Sequence, residues 1–217
     1  MIKKLLTVGV LFVVFFNGES KSQEKASDAD SAQYWWGKGY VSAVKGDYEA
    51  AIVDYNKSIQ LYGLKGEVYY DRGNARAELK NYAGAIEDYT NALKYLIDDP
   101  DKLKTYYVRG MAKIEMLDLD GAIADLTEVV KLSPNHEEAF YYRATAKDKL
   151  KDYRGAIEDF TKVIEINPQS SRAYKLRGIE KIRLRDKQGG CSDLSMASEL
   201  GDTKVASVME KLCGSSN

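Results

Sequence analysis

The sequence predicts an all-α solenoid of about five helix–turn–helix units, closed by a capping helix at the C-terminus. Three observations predict it. Small residues recur at Gly39, Gly73, Gly110, Ala144 and Gly178, in steps of 34, 37, 34 and 34 residues. Three further columns keep those steps: Ala51, Ala85, Ala122, Ala156 and Gly190; Asp54, Asp88, Asp125, Asp159 and Asp193; Tyr55, Tyr89, Leu126, Phe160 and Leu194. Self-similarity at one period marks a repeat architecture. Proline is scarce, 3 in 217 residues, and alanine, lysine and glutamate are common, which favours helix.

Each unit reads as two helices. The first carries apolar residues at helical spacing, as at Tyr106, Met111, Ile114 and Met116. A short turn follows, such as Lys45-Gly46-Asp47 or Lys151-Asp152. The second helix opens near Tyr48, Tyr82, Leu119 or Tyr153 and stops at Ser133-Pro134 or Asn167-Pro168. Proline cannot continue a helix, and it pushes the residue before it out of helical geometry. Pro100 lies in Asp98–Lys102, where the three-residue excess of the second step falls. The reading there is a longer loop. Helices approach to about 8–10 Å only over small residues, so the glycine and alanine columns mark the crossings. One pair cannot bury its apolar face alone, and pairs must stack.

The stretches Tyr48-Glu49-Ala50-Ala51-Ile52, Tyr82-Ala83-Gly84-Ala85-Ile86 and Tyr153-Arg154-Gly155-Ala156-Ile157 resemble the second-helix start of the tetratricopeptide repeat. The resemblance runs from about Ala32 to Gly201 and implies a right-handed α–α superhelix. Units are expected at about 32–65, 66–102, 103–136, 137–170 and 171–202. Two departures stand out. Lys38, Arg72, Arg109, Arg143 and Arg177 take the place where the family usually has leucine, and the last unit has Gly189-Gly190-Cys191.

The N-terminus reads as an address. Two lysines precede Leu5–Phe16, twelve residues without a charge. A spanning helix needs about 20 apolar residues, so this matches the core of a secretory signal peptide. Cleavage is expected after Ser22, with 23–31 a flexible lead-in. The other reading is an uncleaved membrane anchor. Cleavage leaves no membrane span and places the protein in the periplasm or outside the cell, an exported bacterial type.

Residues 203–217 are expected to form a capping helix and tail, with Val205, Val208, Met209 and Leu212 on one face. The lead Ser198–Gly201 resembles the closing segment of exported bacterial repeat proteins and is loosely similar to Sel1-like repeats. If the last two helices are antiparallel, Cys191 and Cys213 meet. An oxidising compartment permits that disulfide. Two free buried thiols are the other reading. No Cys-x-x-Cys is present to suggest a redox pair.

Charge and composition exclude several classes. Lys+Arg is 32 and Asp+Glu 33, a net charge of −1. No basic field is available for nucleic acid. One histidine and two cysteines rule out most zinc sites. His136 reads as a surface or capping residue, without partners for a nucleophilic triad. Glu87-Asp88 and Glu158-Asp159 recur in phase with the repeat, so they read as fold and not as a glycosidase pair. No cofactor, metal or catalytic residue is expected.

The regular charges have two readings. One is a basic stripe for an anionic ligand. The favoured one is a structural ladder, Arg72, Arg109, Arg143 and Arg177 pairing with Asp54, Asp88, Asp125, Asp159 and Asp193. Two columns flank the basic one. Trp36, Tyr70, Tyr107, Tyr141 and Lys175 lie two residues before it, and Tyr40, Asn74, Met111, Thr145 and Ile179 two after. By the family resemblance these face a concave groove. An aromatic strip there would hold an extended or helical peptide. The bland alternative is aromatics tucked between neighbouring helices. Asn74 is the sole Asn in these columns, so a carboxylate clamp is not supported. The function expected is a non-enzymatic scaffold or adaptor for a protein or peptide partner. The rival is a glycan or small-ligand binder of an envelope uptake system.

Overall fold

The structure, a computed structural model, describes residues 27–62 and 65–214. The expected signal peptide and its cleavage point lie outside these residues. Among the described residues every regular element is an α-helix. Helix α1 runs over 27–44, followed by α2 (Tyr48–Leu61), α3 (Gly66–Glu78), α4 (Tyr82–Tyr95), α5 (Asp99–Glu115) and α6 (Leu119–Leu132). Then come α7 (Glu137–Lys149), α8 (Tyr153–Ile166), α9 (Ser171–Arg183), α10 (Lys187–Glu199) and α11 (Val205–Cys213). The first ten helices form five helix–turn–helix pairs, and α11 follows as a single helix. The chain divides into two compact parts, one ending at Leu96 and one beginning at Ile97. In the first, α2 packs on α3 and α3 on α4; in the second, each helix from α5 to α10 packs on the next, and α11 packs on α10.

The turns within pairs share one design. Asp47, Asn81, Asp118, Asp152 and Asp186 each accept a hydrogen bond from the backbone N–H three residues on. That satisfies one of the orphan donors of the second helix. The residue before each cap is left-handed: Gly46 at φ +82°, then Lys80, Leu117, Lys151 and Arg185 at 59–69°. Glycine adopts this without a Cβ penalty; the other four hold it against that penalty.

The core follows the columns. Ala51, Ala85, Ala122 and Ala156 are fully buried, and Tyr55, Tyr89, Leu126, Phe160 and Leu194 are buried beside them. At the last crossing Gly178 and Gly190 bring α9 and α10 into backbone contact: a Cβ on Gly178 would lie 2.7 Å from the Gly190 carbonyl oxygen.

Two expectations need correction. Residues 27–31 are helical, not a flexible lead-in. Their polarity is compatible with an outer helix face, and the helix is anchored at once by Ala32, which is buried and whose carbonyl accepts from the Ser58 hydroxyl at 2.8 Å. Pro100 does not sit in a longer loop. Asp98 caps α5, and Pro100 falls in its first turn, where the N–H it lacks has no helical partner to lose. The three extra residues therefore lengthen α5, and the boundary placed at 102/103 cuts that helix. The second pair ends before Asp98.

Candidate functional site

The first helices carry the candidate residues, and the charges lie beneath them. Arg72 reaches Asp88 through Nε at 2.9 Å and through a terminal guanidinium nitrogen on the other oxygen. Arg109–Asp125, Arg143–Asp159 and Arg177–Asp193 repeat this fork at 2.6–2.9 Å. Lys38 makes one bond of 3.3 Å to Asp54. The acids are buried on the second helices and the arginines lie on the first helices of the same pairs. Arg72 also reaches back to Asn56 on the preceding second helix, as Arg143 does to Thr127 and Arg177 to Thr161. One guanidinium thus ties both neighbouring helices.

A second cation column went unread in the sequence. Arg76, Lys113, Lys147 and Lys181 sit one turn after the arginines, each 2.8–2.9 Å from the second oxygen of the same aspartate. Their signal was present, since they keep the repeat period.

In the first part, Trp36, Tyr70 and Asn74 are half-buried and Tyr40 is 58 % exposed. The Trp36 indole N–H donates to Asp71 at 2.6 Å, and the Tyr89 hydroxyl donates to Asn74 at 2.8 Å. In the second part, Tyr107, Met111, Tyr141, Thr145 and Lys175 are all half-buried. Helices α5 and α7 touch, so the Tyr107 and Tyr141 positions lie on neighbouring first helices. Tyr107 packs against the His136 ring at 5.1 Å and Tyr142 at 6.4 Å. Burial raises its hydroxyl pKa, with Tyr142 and Glu138 adding to the effect. Tyr141 packs on Phe160, and the Arg172 guanidinium lies 4.3 Å from its ring centroid. Thr145 donates to the Tyr141 carbonyl, and Lys175 is paired with Asp202. These aromatics are partly tucked between helices while still reaching the surface. His136 caps α7, its Nδ1 accepting from the Ala139 N–H at 3.3 Å.

Tetratricopeptide repeat models match residues 32–63, 66–99, 103–136 and 137–170, together more than half of the chain. The chain belongs to the tetratricopeptide repeat family. Its fifth pair, α9–α10, has the same helix–turn–helix form outside those matches. Among solved structures it is similar to YrrB, described as a TPR protein with an unusual peptide-binding site. The TM-score is 0.77 at 20 % identity, covering 89 % of this chain and 97 % of that one. It is also similar to MamA, at TM-score 0.74 and 22 % identity over 82 % and 95 % of the two chains. A MamA fragment from Desulfovibrio magneticus RS-1 gives 0.70 and 21 % over 80 % and 98 %. These likenesses concern the fold. No curated protein matches.

The tetratricopeptide array ends in α11, whose Val205, Val208 and Met209 pack with Leu194 and Ala197 of α10. Cys191 and Cys213 are joined across that contact, their Cα atoms 5.7 Å apart. Among the described residues, no group of acidic, histidine or cysteine side chains could hold a metal ion, and no helix is long and apolar enough to cross a membrane.

Proposed function

We propose that the protein is a non-enzymatic adaptor that holds an extended or helical peptide segment of a protein partner against its first helices. The observation that carries this is the division of labour on those helices. The periodic charges are engaged in internal pairs, while the columns beside them present half-buried tyrosines, Tyr70 in the first compact part and, separately, Tyr107 and Tyr141 on neighbouring first helices of the second. Rigid, partly sheltered aromatics lose little entropy on contact and make good anchors. Family membership supports the reading, because tetratricopeptide proteins commonly bind protein or peptide partners. The peptide-binding site named for YrrB supports it by analogy of fold.

Work outside the cytoplasm is the second component. It rests on the leader pattern of Leu5–Phe16 and on the Cys191–Cys213 pair, which suits an oxidising compartment.

The test is photo-crosslinking in the producing cell. A reactive residue replaces Tyr107 on α5, and a control replaces Lys162, exposed on second helix α8. One discrete protein captured at position 107 and not at 162 supports the adaptor reading and names the partner. No protein at either site favours the glycan or small-ligand alternative. With the partner in hand, Tyr107→Ala is expected to weaken binding by roughly 1–3 kcal/mol. Unchanged helicity would show that lost packing on Tyr142 and His136 is not the cause.

A further inference from the structure

Asp71 differs from the carboxylates of the ladder and from Glu180 and Asp202. Asp54, Asp88, Asp125, Asp159 and Asp193 each have a lysine or arginine within ion-pair distance, as do Glu180 and Asp202. Asp71 is half-buried on α3, and among the described residues no cation pairs with it. Its hydrogen-bond partner is the neutral Trp36 indole N–H, at 2.6 Å. Burial raises its pKa, and Glu67, one turn earlier, adds to that. A carboxylate removed from water without a counter-charge is costly unless something arrives to pair with it.

The position is not part of the repeat. The same column holds Gly37, Val108, Tyr142 and Leu176 in the other pairs. The surroundings suit one class of guest. Trp36 and Tyr40 are four residues apart on α1 and so share a helix face. Tyr40 is exposed, and it and Asp71 both add to the raised pKa of the buried Tyr55 hydroxyl. Lys65 Nζ already lies 5.7 Å from the Trp36 ring centroid, so this ring accepts a cation nearby. That ammonium hydrogen-bonds Gln33 at 3.0 Å and leaves Asp71 unpaired.

We propose that Trp36, Tyr40 and Asp71 form a receptor for one cationic side chain, lysine or arginine, of a peptide lying across α1 and α3. The proposal rests on the peptide-binding reading above and adds the chemistry of the partner. The aromatic rings attract the cation through their negative faces. The carboxylate fixes its head group in a partly desolvated site, where the attraction is stronger than in water. An acidic side chain at the same place would be repelled, so the receptor also sets register.

The test uses the full chain, nitrogen-15 labelled, and two synthetic probes. One is acetyl-Gly-Ala-Tyr-Lys-Tyr-Ala-Gly-amide; the other has norleucine in place of lysine. The Trp36 indole N–H resonance, assigned with Trp35→Phe, reports on the site itself. The lysine probe is expected to shift that resonance and to bind about tenfold tighter than the norleucine probe. Asp71→Asn keeps an oxygen to accept from Trp36 but removes the charge. It should remove most of the lysine probe's advantage, leaving what the rings alone supply. Equal binding of the two probes by the intact chain, or an undiminished lysine preference in Asp71→Asn, overturns the proposal. So does the absence of binding by either probe. Capture at position 107, in the other compact part, reports separately on the peptide-binding reading, so the two can fail independently.

Discussion

Glu180 sits where the earlier pairs have Val41, Ala75, Ala112 and Ala146, and it is 1 % exposed. Arg183 lies 3.0 Å from both of its oxygens and also pairs with Asp148 of α7. Burial, then the Asp148 carboxylate, pushes Glu180 up to about 7 against the pull of Arg183. The unfolded chain releases this proton near pH 4.5, while the folded chain keeps it to about 7. The folded state therefore binds more protons in that window, and stability falls as pH rises through it. Thermal melts should show a loss on the order of 2 kcal/mol between pH 5 and pH 8 that Glu180→Gln removes. An identical pH slope in the variant would assign the effect elsewhere. Gly190 makes a steric prediction of the same local kind. A Cβ there would lie 2.5 Å from the Gly178 carbonyl oxygen and closer still to Ile182. Backbone cannot yield as a side chain can. At Gly110 the nearest atom is Leu126 Cγ at 3.3 Å, and the fourth pair already carries Ala144 in that column. Urea unfolding should show Gly190→Ala costing about 2 kcal/mol and Gly110→Ala less than about 1 kcal/mol. The glycine columns were visible in the sequence. The crowding that separates one glycine from another was not, because it depends on how closely two helices approach.

At the scale of the element, a buried aspartate with two cations joins the helices of a pair. Asp159 takes Arg143 on both oxygens and Lys147 on one of them as well, and Arg143 reaches on to Thr127 of α6. Asp159→Asn keeps the shape and strands two sheltered cations, so it should cost on the order of 3 kcal/mol in urea unfolding. The exposed Lys162–Glu165 pair is the contrast, and Glu165→Gln should change stability by less than about 0.5 kcal/mol. Equal effects of the two variants would remove the aspartates from any structural role. The acid and arginine columns could be read from the sequence because they share the repeat period. The second cations share it too, but a period does not say how many bases meet one acid, because a carboxylate has two oxygens and room for several donors. Pro100 is ambiguous in the sequence for a related reason. A proline ends one helix and begins another equally well, and only the capping bond from Asp98 separates the two cases.

At the scale of the whole molecule, a repeat array is held by contacts between neighbours and is weakest at its ends. Here α11 covers α10, and the Cys191–Cys213 bond closes a separation of 22 residues. By the chain-entropy argument that link is worth about 3 kcal/mol. Reduction with dithiothreitol should therefore speed amide exchange in α11 first and α10 next, leaving α6 and α7 protected. Uniform acceleration in all helices would mean that the cap stabilises the chain globally. The all-helical class, the number of pairs, the starts of the second helices and the columns that meet in the core were legible in the amino-acid sequence. They are legible because a repeat writes each local requirement several times, and agreement in phase isolates it. How the side chains between columns are used emerges from the packed helices: Asn74 and Lys175 are turned to internal partners, the tyrosines are half-sheltered, and Asp71 is left with an indole and, among the described residues, no counter-charge. Those outcomes depend on the reach of side chains across helices that are distant in sequence, and a period along the chain carries no record of that reach.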